Sequence, residues 1–342
     1  MSLPIAIPLN AHVDRNAVRD RRGEFRAVLD LVNRTRGHAL PDFRETPAIL
    51  KDFGDEIALP TAIDVAGPLN GLRIVIAAGY LTECIAFLAD CRTDAEVHLR
   101  GLGADVVHAP LAGRADCAAN AIRMRDHLMG LPRDGRKVLV IAMSKGAADT
   151  LETLARHPET HARVDGVAAL VGCVWGSPLA YCAPNWLKTI EKYLPMPGCA
   201  RHGGRAVDSL SPHTRARFMA DHPMPEGVCF YTLAAAVSER DVSAAIRPAW
   251  RALAAIDPLT DGQMLLRDQI LPQSDVLGVL DCDHIAAAMP FNRGQGRLAR
   301  LVCARLLDRN AFPREIVMEA LARFVFADLI PGAGQEKPGG SD

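Results

Sequence analysis

Residues 137–146 read Lys-Val-Leu-Val-Ile-Ala-Met-Ser-Lys-Gly, and the next ten, Ala147 to Arg156, carry helical spacing. The run Lys137 to Ala142 is continuous and β-branched, which marks a strand buried on both faces. A strand that passes through so few residues into a helix must turn sharply. Small side chains are needed where the two elements approach, and Ala142 and Gly146 stand two before and two after Ser144. The turn therefore presents the Ser144 hydroxyl above the end of a sheet. A helix N-cap would also favour serine there.

The same grammar continues in both directions. Leu72 to Ala78, Ala104 to Ala109, Gly166 to Val174, Val228 to Val237 and Ser274 to Leu280 are further apolar runs of strand length. Helical segments at 83–102 and 115–130 separate the earlier ones. Strand alternating with helix implies right-handed crossovers and a mostly parallel sheet covered by helices, an α/β fold. Such sheets bind their ligands beyond the carboxyl ends of the strands.

Residues 14–35 read as an amphipathic helix, with Phe25, Val28, Leu29 and Val32 on one face and arginines, Arg15 to Arg26, on a solvated face. We read residues 1–70 as an N-terminal helical extension and 71–330 as the main domain. About 177–227 lacks a strand and contains Trp186 and Tyr193. It is too long for a simple loop, and reads as an inserted helical cap. Two helices, 296–309 and 313–327, precede a tail at 331–342 that is disordered by composition.

The chain has 342 residues, 49% hydrophobic and 23% charged, with a net charge of −1. That composition excludes wholesale disorder and the basic excess of most nucleic-acid binders. No membrane span and no secretory signal is expected, and nine scattered cysteines without a CxxC pair suggest free thiols in a reduced, cytoplasmic protein. Neither a GxGxxG nor a GxxxxGK[ST] phosphate loop is present, and no zinc-ligand spacing occurs. We expect no cofactor and no metal.

A serine hydroxyl is a weak nucleophile until a base takes its proton. His284 follows the strand ending at Leu280, in Asp281-Cys282-Asp283-His284, and is the histidine placed at a strand's carboxyl end. An acid should precede it to orient the ring. Asp241, Asp257, Asp261 and Asp268 all qualify by order. Asp261 is favoured because Gly262 follows it in a turn, with Asp241 next.

The order Ser144, Asp261, His284 resembles that of the α/β-hydrolase superfamily, whose nucleophile motif is GxSxG. Here the first glycine is Ala142. Trp175-Gly176-Ser177-Pro178 is similar to a segment of some lipases and esterases, and the resemblance spans about residues 70–310. It implies a lipase- or esterase-like serine hydrolase acting through an acyl-enzyme. Thioesterase or acyltransferase activity on a carrier- or coenzyme-bound acyl group, and a non-catalytic ligand-binding protein, are the alternatives. It also implies an oxyanion hole from the backbone of Lys145 and of Tyr80 or Leu81, in Ala78-Gly79-Tyr80-Leu81-Thr82. The Lys145 side chain is expected on the helix surface. Trp175, Tyr181 and Trp186 are candidate substrate-binding residues. The expected partner is a small acyl ester or thioester, with a homo-oligomer contact possible through the arginine-bearing helix.

Overall fold

The computed structural model describes residues 7–56, 61, 63–84, 94–182, 205–293 and 304–330. Among them the strands are β1 (Arg19–Asp20), β2 (Leu72–Ala77), β3 (Asp105–His108), β4 (Lys137–Met143), β5 (Gly166–Leu170), β6 (Cys229–Ala235) and β7 (Asp275–Leu280). They form one sheet in the order β1-β7-β6-β5-β4-β2-β3, and every pairing is parallel. The α/β architecture expected from the alternating pattern is the one observed.

The helices that matter below are α1 (Arg22–Arg36), α2 (Asp94–Gly101), α3 (Cys117–Gly130), α4 (Lys145–Arg156), α5 (Pro212–Asp221), α6 (His284–Ala288) and α7 (Arg314–Leu329). Side chains alternate across each strand, so two cores form. Ile74, Ile76, Leu139 and Ile141 pack on one face with Phe25 and Leu29 of α1 and Ile316 and Leu321 of α7. Val75, Ala77, Val140 and Ala142 pack on the other with Met124 and Leu128 of α3 and Leu151 and Leu154 of α4. Each buried Val, Leu, Ile, Phe or Met side chain among them is worth roughly 1.5–3 kcal/mol.

Several boundaries differ from the sequence expectation. Helix α1 begins at Arg22 rather than residue 14, because Asp14 caps a short turn over Arg15–Ala17 and Arg19–Asp20 pairs with Asp275 and Val276. The arginines are not simply a solvated face. Arg22 is buried against Asp20 and Asp55, Arg21 reaches Glu24, Asp275 and Asp328, and Arg26 holds Glu56. Nearby carboxylates at 20, 24, 55 and 56 made those pairs available. Cys84 is disulfide-bonded, contrary to the free-thiol expectation, whereas Cys117, Cys173, Cys229 and Cys282 are free.

The segment expected as helix over 83–102 is helical over Asp94–Gly101, with 85–93 outside the described residues. Within the region read as a cap, α5 is described and 183–204 is not; Trp186 and Tyr193 fall there. Most of the 296–309 segment and all of 331–342 also lie outside. No helix among the described residues is long and apolar enough to cross a membrane.

Candidate active site

Strand β2 lies between β3 and β4, so the chain leaves β2 toward one side and returns to the other. The crevice for a ligand opens at that switch point. Ala77 of β2 and Ala142 of β4 are register partners, which sets Ala78-Gly79-Tyr80 beside Met143-Ser144-Lys145. The approach is close. A Cβ on Gly79 would meet the Ser144 Cβ at 2.9 Å, and one on Gly146 would meet the Ala77 carbonyl oxygen at 2.0 Å. Only glycine fits at 146.

Ser144 has φ 53 and ψ −123, a backbone conformation that side chains rarely adopt. It is fixed from both sides. Its N–H donates to the Leu170 carbonyl at 3.3 Å, and its carbonyl accepts from Cys173 N at 2.8 Å and Ala147 N at 3.1 Å. The side chain does not cap α4. Instead, the Oγ lies 2.9 Å from His284 Nε2.

His284 opens α6, 8% exposed, directly after Asp283, which caps that helix by accepting from Ala286 N at 2.7 Å. The other Asp283 oxygen accepts from Ser243 N at 2.9 Å, which fixes the helix start. His284 N donates to the Asp261 carbonyl at 2.9 Å, and its Nδ1 is 2.7 Å from Asp261 Oδ2. Asp261 is fully buried, and its Oδ1 accepts from Gln263 N at 2.8 Å and Met264 N at 2.7 Å. A His284 ring that donates Nδ1–H to Asp261 leaves Nε2 as the acceptor facing the Ser144 hydroxyl. Gly262, at φ 89, makes the turn that aims the carboxylate.

Asp241 sits elsewhere. It accepts from Ser238 Oγ at 2.6 Å and Arg240 Nε at 3.0 Å, half-exposed at the surface. Asp268 bonds Asn10 and Asp257 bonds Arg267.

A cavity of about 240 Å³ opens over Ser144 and His284. Gly79, Tyr80, Leu81 and Thr82 line one side, and Ile285, Ala288, Met289 and Phe291 another, with Ile76, Met143 and Gln263. The walls from α6 onward were not anticipated from the sequence. The apolar run Ile285 to Ala288 behind the histidine was their signal.

Two of the candidate substrate-binding residues are corrected. Trp175 is buried, donates from Nε1 to the Ile270 carbonyl at 3.0 Å, stacks on His12 and lines a separate cleft. Its backbone N–H donates to the Asp268 carbonyl at 3.0 Å, which holds it on the core rather than at the serine. Tyr181 is exposed, and its hydroxyl accepts from His213 N at 2.8 Å.

Lys145 is corrected too. Its side chain is wholly buried, with Nζ donating to both oxygens of Asp149 at 2.7 Å. The reason is position. The first turn of α4 is buried all round beneath the strand ends, and Asp149 one turn on supplies the counter-charge. Burial by itself would lower the Lys145 pKa, but Asp149, with Cys117 and Glu83, more than offsets this and raises it.

No family model matches the chain, and no curated protein matches it. Among solved structures it is similar to a metagenomic carboxyl esterase, MGS0156, at 31% identity and a TM-score of 0.85, over 96% of this chain and 97% of that one. It is also similar to the mature form of the lipase BlEst2 of Bacillus licheniformis, at 24% identity and a TM-score of 0.51, over 74% of this chain and 96% of that one. The second likeness is one of fold. With near-complete mutual coverage by the first, and an all-parallel sheet whose strand-end turn carries Ser144, the chain belongs to the α/β-hydrolase superfamily.

Proposed function

We propose that this chain hydrolyses carboxylic esters, with Ser144 as nucleophile, His284 as general base and then acid, and Asp261 orienting the ring. The observation that carries the reading is the single line of contacts from the strained Ser144, through His284, to the buried Asp261. A serine in that backbone conformation, uncapped and hydrogen-bonded to a histidine, is arranged for attack.

Ser144 Oγ attacks the ester carbonyl while His284 Nε2 takes the hydroxyl proton, and Asp261 stabilises the imidazolium. The oxyanion lies toward the backbone N–H of Lys145, with that of Tyr80 or Leu81 as second donor. Tyr80 and Leu81 both line the cavity beside Ser144, which supports that pairing. The tetrahedral intermediate collapses, the C–O bond to the leaving alcohol breaks, and His284 returns the proton to it. Water then attacks the acyl-enzyme with His284 as base, releasing the acid and restoring Ser144.

Leu81, Met143, Ile285, Met289 and Phe291 give the cavity apolar walls, which suit an apolar acyl or alcohol group. The carboxyl esterase likeness supports ester chemistry at family level. The test is turnover of p-nitrophenyl esters of graded acyl length beside the matching thioesters. Wild type should cleave the oxygen esters, and Ser144→Ala should lose the activity by ~10³-fold or more. Turnover confined to thioesters would replace the ester assignment, and undiminished turnover by Ser144→Ala would end it.

A further inference from the structure

We propose that a buried polar chain from Lys145 through Asp149 and Asn120 to Glu83 holds the two sides of the oxyanion hole in register. Its members would then be positioning residues for turnover. The inference rests on the reading of Ser144 as nucleophile given above.

The chain can be followed atom by atom. Lys145 Nζ is bound by both oxygens of Asp149, and neither side chain is more than 1% exposed. Asn120 Nδ2 donates to Asp149 Oδ2 at 2.7 Å. The same Asn120 grips the loop after β3 through both backbone groups of Ala112, accepting from its N–H and donating to its carbonyl, each at 3.0 Å. The next residue, Gly113, donates its N–H to Glu83 Oε1 at 2.6 Å. Gly113 is also pressed against the oxyanion loop itself: a Cβ there would meet Leu81 N at 2.5 Å.

Glu83 therefore ties loop 79–84 to the loop after β3, and Asn120 ties that loop to Asp149 of α4, whose carboxylate holds Lys145. The loop is internally braced as well, with Thr82 Oγ1 donating to the Gly79 carbonyl at 3.1 Å and Cys84 N to the Leu81 carbonyl at 2.9 Å. Leu81, at φ 59, needs such bracing. One end of this chain is the residue whose N–H follows the nucleophile. The other is the segment bearing Tyr80 and Leu81. Lys145 is also held by the charge of Glu83 as well as that of Asp149.

Stability alone gives a poor account of the arrangement. A buried ion pair is often no better than apolar side chains of equal volume, because desolvation offsets the attraction. A network that joins Lys145, beside the nucleophile, to the segment bearing Tyr80 and Leu81 does something an apolar core cannot. It fixes the distance between two loops by hydrogen bonds of defined length.

The experiment is steady-state hydrolysis of a p-nitrophenyl ester by Glu83→Ala, Glu83→Gln and the double variant Lys145→Met/Asp149→Leu, with Ser144→Ala alongside. Glu83→Ala removes the acceptor from a partly exposed position, so the fold should survive. The expected result is a kcat lowered ~10-fold or more with KM within ~2-fold, since the oxyanion forms only in the transition state. Glu83→Gln keeps an oxygen for Gly113 N and should recover to within ~3-fold of wild type. The double variant, neutral and of similar volume, should keep its circular dichroism and lose kcat in the same selective way. Wild-type kcat in Glu83→Ala or in the folded double variant would overturn the proposal. So would a loss confined to KM. If the double variant does not fold, the Glu83 pair decides by itself. Activity persisting in Ser144→Ala would instead remove the underlying assignment, a distinguishable failure.

Discussion

At Ser144 a non-glycine residue sits at φ 53, a conformation worth about 1–3 kcal/mol of strain. The cost is tied to the Cβ. Ser144→Gly should therefore be more stable than Ser144→Ala by about 1 kcal/mol in urea unfolding, although both lack the hydroxyl; a less stable glycine variant would show that the turn is unstrained. In the proposed mechanism Asp261 acts through His284 Nδ1, so Asp261→Asn should lower kcat by ~10³–10⁴-fold by favouring the wrong tautomer. Asp241, held by Ser238 and Arg240 at the surface, should tolerate alanine with unchanged kcat. An inactive Asp241→Ala would contradict the assignment. The candidate triad was legible because each residue stands where a strand or turn ends, and that can be read from runs of apolar residues. The Lys145 side chain was not read correctly, since a lysine on a helix is ordinarily solvated. Its partner one turn later, Asp149, was the available clue.

Among the elements, β2 and α4 touch through Gly146, whose α-hydrogen faces the Ala77 carbonyl. Gly146→Ala would force β2 and α4 apart. A loss of about 3 kcal/mol or more is expected in urea unfolding, above an ordinary overpacking cost because backbone rather than a side chain must move; a loss below about 1 kcal/mol would show that the contact is soft. The buried strands were plain in the sequence, because β2, β4 and β5 are continuous apolar runs. Strand β1 was not. Two residues carry no periodicity, and Arg19–Asp20 is recognised only through its partners: Arg19 Nε lies 2.5 Å, and Arg21 Nη1 3.0 Å, from Asp275, which is 2% exposed. Helix α1 begins late for the same reason, since the residues before it are spent on this edge.

Across the whole molecule, buried carboxyls set the response to pH. Glu319 is buried, which would raise its pKa, but hydrogen bonds from His98 and Arg323, with the charge of Arg36, hold it below the ordinary value. Its ionised form is favoured in the folded state. The stability it contributes is present above the unfolded carboxyl range and is lost as pH falls through the lower folded value, below about pH 4. Glu319→Gln should flatten the acid limb of a melting-temperature profile. Asp268 has the opposite sign: burial raises it, outweighing the bond from Asn10. The folded state then binds the proton more tightly, and stability falls as pH rises through the interval from the unfolded to the folded pKa. Asp268→Asn retains an oxygen for Asn10 and should be relatively more stable at pH 7 than at pH 3. A difference independent of pH would contradict both the burial and its sign. The parallel sheet, its switch point and its turn-borne serine all point to one site, and that claim has a direct test. Intact mass after exposure to a fluorophosphonate probe, wild type beside Ser144→Ala, asks whether the serine is activated. A single adduct on wild type and none on the variant is the predicted result; no adduct on folded wild type, or the same adduct on both, would contradict it.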